Sequence, residues 1–266
     1  MLGSELAATA GGLRRLLYST IGILDVDERI WEIHVRRHFF PLLRSMSPAR
    51  ILDAGCGEGL WSFEFAREFP QHQVLGIDIR QDVVELCNHL QVSSSVSNVR
   101  FDTLPFTDLV FDCEFEVVLS LFSLHYSYRN DVEVLERFAR ALKPGGWLLM
   151  MVPVAHHLWE PSSWIPPEES GKASKYGIPI EYDEFRSHYS YQELSDKLSQ
   201  AGFASVEIHR LAGRCAQWAK RIYAFASRRP ILGALFWPLA IILGFIDAIF
   251  PARNGMTWLV AARKSS

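Results

Sequence analysis

Apolar positions along this chain alternate between short crowded runs and stretches with helical spacing. Ile51-Leu52 leads into a glycine cluster, after which Leu60, Phe63 and Ala66 recur at helical intervals. Val74-Leu75-Gly76-Ile77 is a second run, and Val83, Cys87 and Leu90 follow at i, i+4, i+7. Val99-Arg100-Phe101-Asp102 makes a third strand. The run from Phe115 to Leu121 makes a fourth, continuous enough to be covered on both faces. A helix carrying Val132, Leu135, Phe138, Ala139 and Leu142 stops at Lys143-Pro144-Gly145-Gly146, and residues 147–152 are a fifth strand. The pattern predicts an α/β domain: a Rossmann-like, doubly wound, mainly parallel sheet whose ligands sit at the carboxyl ends of the strands.

The flanks read differently. Residues 1–48 are helical in pattern. The clearest helix covers 28–45, with Ile30, Ile33, Phe39, Phe40, Leu42 and Leu43, and is bent or broken near Pro41. This N-terminal segment is either a lid, with Tyr18 or Trp31 over a ligand, or packing on the sheet. Residues 49–266 form the main domain, with two insertions. The first, 154–189, has little periodicity and many aromatics, as an active-site cover does. Ser190-Tyr191-Gln192-Glu193 is then a capping box opening a helix that ends at Gly202. Val206 and Ile208 alternate with Glu207 and His209 as a sixth strand, and residues 256–262 are the last.

The second insertion, 213–252, contains an uncharged and almost wholly apolar run at 231–246, broken by Pro238 and followed by Asp247. It falls short of the roughly 20 residues a bilayer core needs. A single crossing would also strand the last β-strand on the far side of the membrane. The expectation is a helical excursion buried on the domain or walling a greasy pocket. Peripheral contact with a membrane interface, or pairing with a second copy through 231–250, comes second.

Composition narrows the partners. The 266 residues carry a net charge of −3 with no basic block, which argues against nucleic acid as a partner. Four scattered cysteines (Cys56, Cys87, Cys113, Cys215) without a Cys-x-x-Cys fit reduced thiols, and residues 1–20 lack a signal-peptide pattern. The expected location is therefore cytoplasmic, possibly peripheral to a membrane.

The candidate chemistry gathers at Leu52-Asp53-Ala54-Gly55-Cys56-Gly57-Glu58-Gly59 and at Asp78. Glycines let backbone approach a ligand and accept positive φ. An acid closing the second strand sits where a ribose offers its hydroxyls. Asp53 and Glu58 repel a pyrophosphate but suit a ligand carrying an ammonium and a sulfonium. The spacing is Gly-x-Gly-x-Gly, not the Gly-x-Gly-x-x-Gly of dinucleotide sites. For Glu58 alone, the plainer role is complementing the dipole of the following helix.

At these residues the chain resembles the class I S-adenosylmethionine-dependent methyltransferases of the small-molecule type. The likeness continues in Asp102, Leu104-Pro105-Phe106, Leu124-His125-Tyr126 and Lys143-Pro144-Gly145-Gly146. It departs at Phe115-Glu116, where the family usually has Phe-Asp, and in extra length over 108–114. The resemblance implies S-adenosylmethionine as cofactor and an antiparallel C-terminal edge on the sheet; with the aromatic cover, the expected function is methyl transfer to a small apolar or aromatic metabolite, oxygen being the first acceptor atom with nitrogen and carbon open. The resemblance also implies that Gly55, Cys56 and Gly57 pass along the methionine half, and that Asp53 meets its ammonium directly or through water. Asp78 takes the ribose hydroxyls, Ile79 lies against adenine, Asp102 with Thr103 reaches the adenine amino group, and Leu121 lends backbone near the methionine. His125 is the general-base candidate by position and titration range; its plainer role is shaping the turn. His156, His157, Glu160, His188 and Tyr189 are reserves. Adjacent histidines seldom face one ion and no third ligand follows at metal-site spacing, so no metal site is expected from His156, His157 and Glu160. The rival readings are an NAD(P)-dependent oxidoreductase and a non-catalytic, membrane-associated binding protein of the same fold.

Overall fold

A computed structural model describes residues 26–127, 130–154, 164–165, 185–186, 189–226, 230–250 and 255–265. They fall into two compact units: residues 46–209 with 257–266, and residues 1–45 with 210–256.

The larger unit is built on a sheet. It follows α1 (Val26–His38) and α2 (Phe40–Ser45), which belong to the other unit. Its elements in chain order are β1 (Arg50–Ala54), α3 (Leu60–Glu68), β2 (Gln73–Asp78), α4 (Gln81–Ser93), β3 (Val99–Thr103), β4 (Phe115–Leu121), α5 (Asp131–Ala141), β5 (Leu142–Pro153), α6 (Tyr191–Gln200), β6 (Phe203–Leu211) and β7 (Thr257–Lys264). The strand order is β3-β2-β1-β4-β5-β7-β6. Pairings from β3 through β5 are parallel, and β7 runs antiparallel to β5. The doubly wound, mainly parallel architecture is as the pattern predicted. The antiparallel C-terminal strand lies one place in from the margin, with β6 outermost.

Adjacent residues of β1 and β4, such as Ile51 and Leu52 or Val117 and Val118, are all fully buried, so both faces of the sheet are covered. On one face Leu52, Val118, Leu148 and Met150 pack with Val134, Leu135 and Phe138 of α5 and with Leu194 and Leu198 of α6. Ser190 caps α6 by accepting from the Glu193 N–H, as the capping box predicted. The Lys143-Pro144-Gly145-Gly146 stretch differs from expectation. It ends α5 but already belongs to β5, where the β4–β5 register jumps from Phe115↔Leu142 to Val117↔Trp147. A positive φ of 71° at Gly145 accommodates that bulge.

The departure at Glu116 has a structural account. Its carboxylate accepts the Arg50 backbone N–H at 2.6 Å and pairs with Lys143, tying the starts of β1, β4 and β5 together. That is the opposite end of the strands from the glycine turn. The extra length over 108–114 is also tied down. Leu109 is buried in the core, Phe111 meets Phe115 edge-on, and the Cys113 and Glu114 N–H groups donate to Arg140 and Ala141.

In the smaller unit α1 and α2 meet at Phe39. Pro41 stands in the first turn of α2, where its missing N–H costs nothing, while Phe39 and Leu43 keep helical bonds to Val35 and Phe39. α7 (Arg214–Ala226) and α8 (Pro230–Ile249) complete the unit. Ile30, Ala212, Ala216, Ala219 and Ala240 form its core, with Trp31 packed against them. The N-terminal helix and the second insertion, read separately from the sequence, thus fold on one another. Tyr18 lies outside the described residues.

Candidate active site

The site is the crevice where β1, β2, β3 and β4 end. The turn after β1 is fixed by its own backbone. The Gly55 and Cys56 N–H groups both donate to the Ile77 carbonyl at the end of β2, at 2.8 and 2.9 Å, and Gly59 donates to Cys56. Gly55, Gly57 and Gly59 all have positive φ. A side chain at Gly55 would collide with Ser123, and one at Gly59 with Cys87 and Phe101. Gly57 is different: among the described residues, a Cβ there meets no atom within 4 Å. The turn is packed at both ends and open in the middle, which is the approach a ligand needs.

Asp78 stands beside that opening, half-buried. The Gly57 N–H donates to its Oδ2 at 2.8 Å and the Arg80 N–H to its Oδ1 at 3.0 Å. Each oxygen keeps acceptor capacity for a ligand hydroxyl. The Arg80 side chain is turned to Asp82, 2.6 Å away. Parallel register sets Asp102 beside Ile77 and Thr103 beside Asp78, and both β3 residues are exposed. Ile79, half-buried, follows Asp78 at the mouth, and Leu121 closes β4 next to Met151.

Asp53 is placed differently from its neighbours. It is 2% exposed and accepts the Ser62 hydroxyl at 2.6 Å, joining β1 to α3 behind the turn. Burial raises its carboxyl to about 6, against the lowering effect of the Ser62 bond, and the Asp78 charge adds to the rise. Burial, then Asp53 and Asp78, push the Cys56 thiol well up. Cys87 is raised to about 12 by burial, then Asp78, Asp53 and Glu58. Both thiols stay protonated and neither is a nucleophile. The same shifts trace one negative field from Asp53, Asp78 and Glu58 across the turn.

His125 is not on β4 itself but on a 3₁₀ turn, Leu124–Tyr126, that follows it. Its ring lies 4.2 Å from that of Tyr126. Tyr189 is fully buried in the core and its carbonyl accepts from the Trp258 indole, so it serves packing. His156, His157, Glu160 and His188, with nearly all of the cover, lie outside the described residues.

Two site residues escaped the sequence reading. Phe122 takes φ 59° immediately after β4 and donates its N–H to Met151. Ser123 donates to the Ala54 carbonyl at 2.5 Å and meets the Ser120 hydroxyl at 2.8 Å. Together they bend the chain over the Gly55 end of the turn. No composition signal marks them; only the glycine opposite Ser123 hints at a close approach.

An acceptor-rich rim beside an open glycine fits a ribose diol and a cationic tail, and opposes a diphosphate. Comparison with known proteins agrees. Residues 51–146 match a family described as a methyltransferase domain. The chain is 27% identical over 199 residues to demethylmenaquinone methyltransferase of Lactiplantibacillus plantarum, covering 66% of this chain and 79% of that one. Methyltransferase str3 of Strobilurus tenacellus, 34% identical, and trans-aconitate 2-methyltransferase of a Mycobacterium species, 32% identical, align over 35% and 45% of their own length. Among solved structures, an S-adenosylmethionine-dependent methyltransferase from Mesorhizobium loti superposes with a TM-score of 0.52 at 20% identity, covering 85% of this chain and 97% of its own. Phosphoethanolamine N-methyltransferase 2 of Haemonchus contortus, in complex with S-adenosyl-L-methionine, gives 0.59 at 17% identity, covering 97% and 60%. The fold, the acid-rimmed turn and the domain match over that turn point one way: residues 51–146 are a methyltransferase domain, and the chain is an S-adenosylmethionine-dependent methyltransferase with S-adenosylmethionine as its cofactor.

Proposed function

We propose that the chain methylates a small, apolar or aromatic metabolite, with oxygen as the acceptor atom. The observation that supports the site assignment is the open edge at Gly57 beside the remaining acceptor positions of Asp78. Bound there, the cofactor supplies an activated sulfonium methyl to an in-line nucleophile. The chain's part is to position it and keep it dry. In this reading the Gly55, Cys56 and Gly57 backbone follows the methionine half, and Leu121 lends its carbonyl nearby. Asp78 accepts the ribose hydroxyls, Ile79 covers adenine, and Asp102 with Thr103 reach its amino group. Asp53 acts from behind the turn, through its field on the cationic half. His125 takes the proton of an acceptor hydroxyl.

A second reading is favoured by two comparisons. The relative from Lactiplantibacillus plantarum is named for demethylmenaquinone, and one from Haemophilus ducreyi is named as a C-methyltransferase of ubiquinone and menaquinone biosynthesis, which makes a quinone-type ring a candidate acceptor and carbon a candidate atom. One assay tests both: purified chain, methyl-labelled cofactor and a metabolite extract, with the labelled product identified by mass and fragmentation. Labelled ether or ester supports oxygen; label on a ring carbon supports the second reading. Tight cofactor binding with no label transferred to any extract component overturns both.

A further inference from the structure

The smaller unit carries an outward surface that neither its core nor the methyl-transfer reading uses. Along α8 the stripe Ala240, Gly244, Asp247 turns inward, with Gly244 against Ile30 of α1. Asp247 is 6% exposed and caps the start of α7, accepting the Gly213 N–H at 2.9 Å and the Ala216 N–H at 3.3 Å; His34 lies 3.9 Å from it. The acid that seemed to terminate an apolar run is therefore an internal fastener. It holds α8 alongside α7, so α8 presents a side, not an end.

That side is apolar. Leu235 (69% exposed), Leu239, Ile242, Phe245, Ile249 (62%) and Phe250 all reach solvent. Their spacing follows one broad helical face. α7 contributes a different outward stripe. Ala216 and Ala219 are buried, while Arg214, Trp218 and Arg221 are exposed at i, i+4 and i+7, with the Arg221 guanidinium 5.6 Å from the Trp218 ring. An indole between two arginines is what a bilayer's headgroup layer accommodates.

Charge decides between occupants. Residues 210–256 contain seven Lys and Arg and a single acid, the buried Asp247. From chain totals of 27 and 30, the rest holds twenty basic and twenty-nine acidic residues. A modest net charge of −3 thus conceals a strongly basic segment within an acidic molecule. A second copy docked through the same face would set that basic segment against itself, since a two-fold interface is self-complementary. An anionic bilayer answers both features at once. Among the described residues no helix is long and apolar enough to cross a membrane. We propose that α7 and α8 form a peripheral docking face for an anionic lipid bilayer, α8 lying in the interface plane with its apolar side among the acyl chains.

Co-sedimentation of the full chain with vesicles tests this, using phosphatidylcholine alone and a mixture of phosphatidylcholine with phosphatidylglycerol. The expected result is binding to the mixed vesicles that weakens with salt, with a blue shift in Trp fluorescence. Ile242→Glu with Ile249→Glu changes only exposed side chains, so fold and cofactor affinity should persist while vesicle binding drops about tenfold or more. Arg214→Glu with Arg221→Glu should abolish the preference for anionic lipid. Wild-type protein that stays in the supernatant with both vesicles overturns the proposal. So does a wild-type dimer, seen by light scattering, that Ile242→Glu dissociates while vesicle binding is absent. Neither outcome bears on methyl transfer, because cofactor affinity is measured separately.

Discussion

Replacing Asp53 with asparagine isolates the electrostatics of the turn. The folded protein holds this carboxyl at about 6, against 3.8 for the unperturbed group. Between those values the folded state binds more proton than the unfolded chain. Stability from this group is therefore fully present below about pH 4 and declines as pH rises toward 6. The shift corresponds to about 3 kcal/mol in all, of which about 2 kcal/mol falls between pH 4.5 and 7.5. The amide of the Asp53→Asn variant does not titrate, and its oxygen still accepts from Ser62. Urea unfolding of both proteins at the two pH values should show wild type losing about 2 kcal/mol more than the variant on going to pH 7.5. Equal losses would refute the account of a buried, destabilised carboxylate.

The same titration links to the proposed role. A cationic ligand favours the ionised carboxyl, so wild-type affinity for S-adenosylmethionine should weaken about tenfold from pH 7.5 to pH 5, where the free carboxyl is mostly protonated. Asp53→Asn should bind more weakly at pH 7.5 and lack that component of the pH dependence. Calorimetry gives both constants. If the pH dependence survives unchanged in the variant, Asp53 does not act on the cofactor's charge.

Three further substitutions probe the rest of the crevice. Asp78→Ala removes the acceptor that also holds the Gly57 and Arg80 N–H groups, and should weaken S-adenosylmethionine about tenfold to a few hundredfold; an unchanged dissociation constant rules out the assignment. Gly57→Ala meets no atom of the described residues, so its folding cost is that of the left-handed backbone, about 1–2 kcal/mol by urea titration. Cofactor affinity should fall about tenfold or more, since the methyl intrudes where the ligand passes; full affinity would place the ligand elsewhere. His125→Asn should leave cofactor affinity intact and lower kcat by about 10²- to 10⁴-fold toward a hydroxyl acceptor. A drop below about threefold would reduce His125 to shaping its turn.

The central motifs were legible because their physics is local. A glycine cluster after an apolar run, an acid at the end of the next, and Leu-Pro-Phe after a third each report a turn or strand end within a few residues. The brace over the turn was not legible. Ser123 reaches Ala54, 69 residues away, and Phe122 adopts positive φ without a glycine to announce it. Lys143-Pro144-Gly145-Gly146 is a helix stop in the sequence and in the fold. That it also begins a bulged strand depends on the partner β4, which no local pattern contains.

The smaller unit was hidden for a related reason. Its core joins Ile30 to Ala216, Ala219 and Ala240, positions about two hundred residues apart, so in the sequence one half reads as a lid or as packing on the sheet and the other as a helical excursion. In the sequence alone, Asp247 is a charge closing an apolar run. Placed in the fold, it satisfies the start of α7 and sits beside His34, which is why an acid tolerates that setting. With the inward stripe of α8 assigned, the exposed leucines, isoleucines and phenylalanines can no longer be explained as core. Chain-wide net charge could not reveal this either, because the basic segment is cancelled by acids elsewhere in the molecule. Apolar exposure and local charge must be read together at the level of the unit, and at that level both call for an anionic, greasy neighbour.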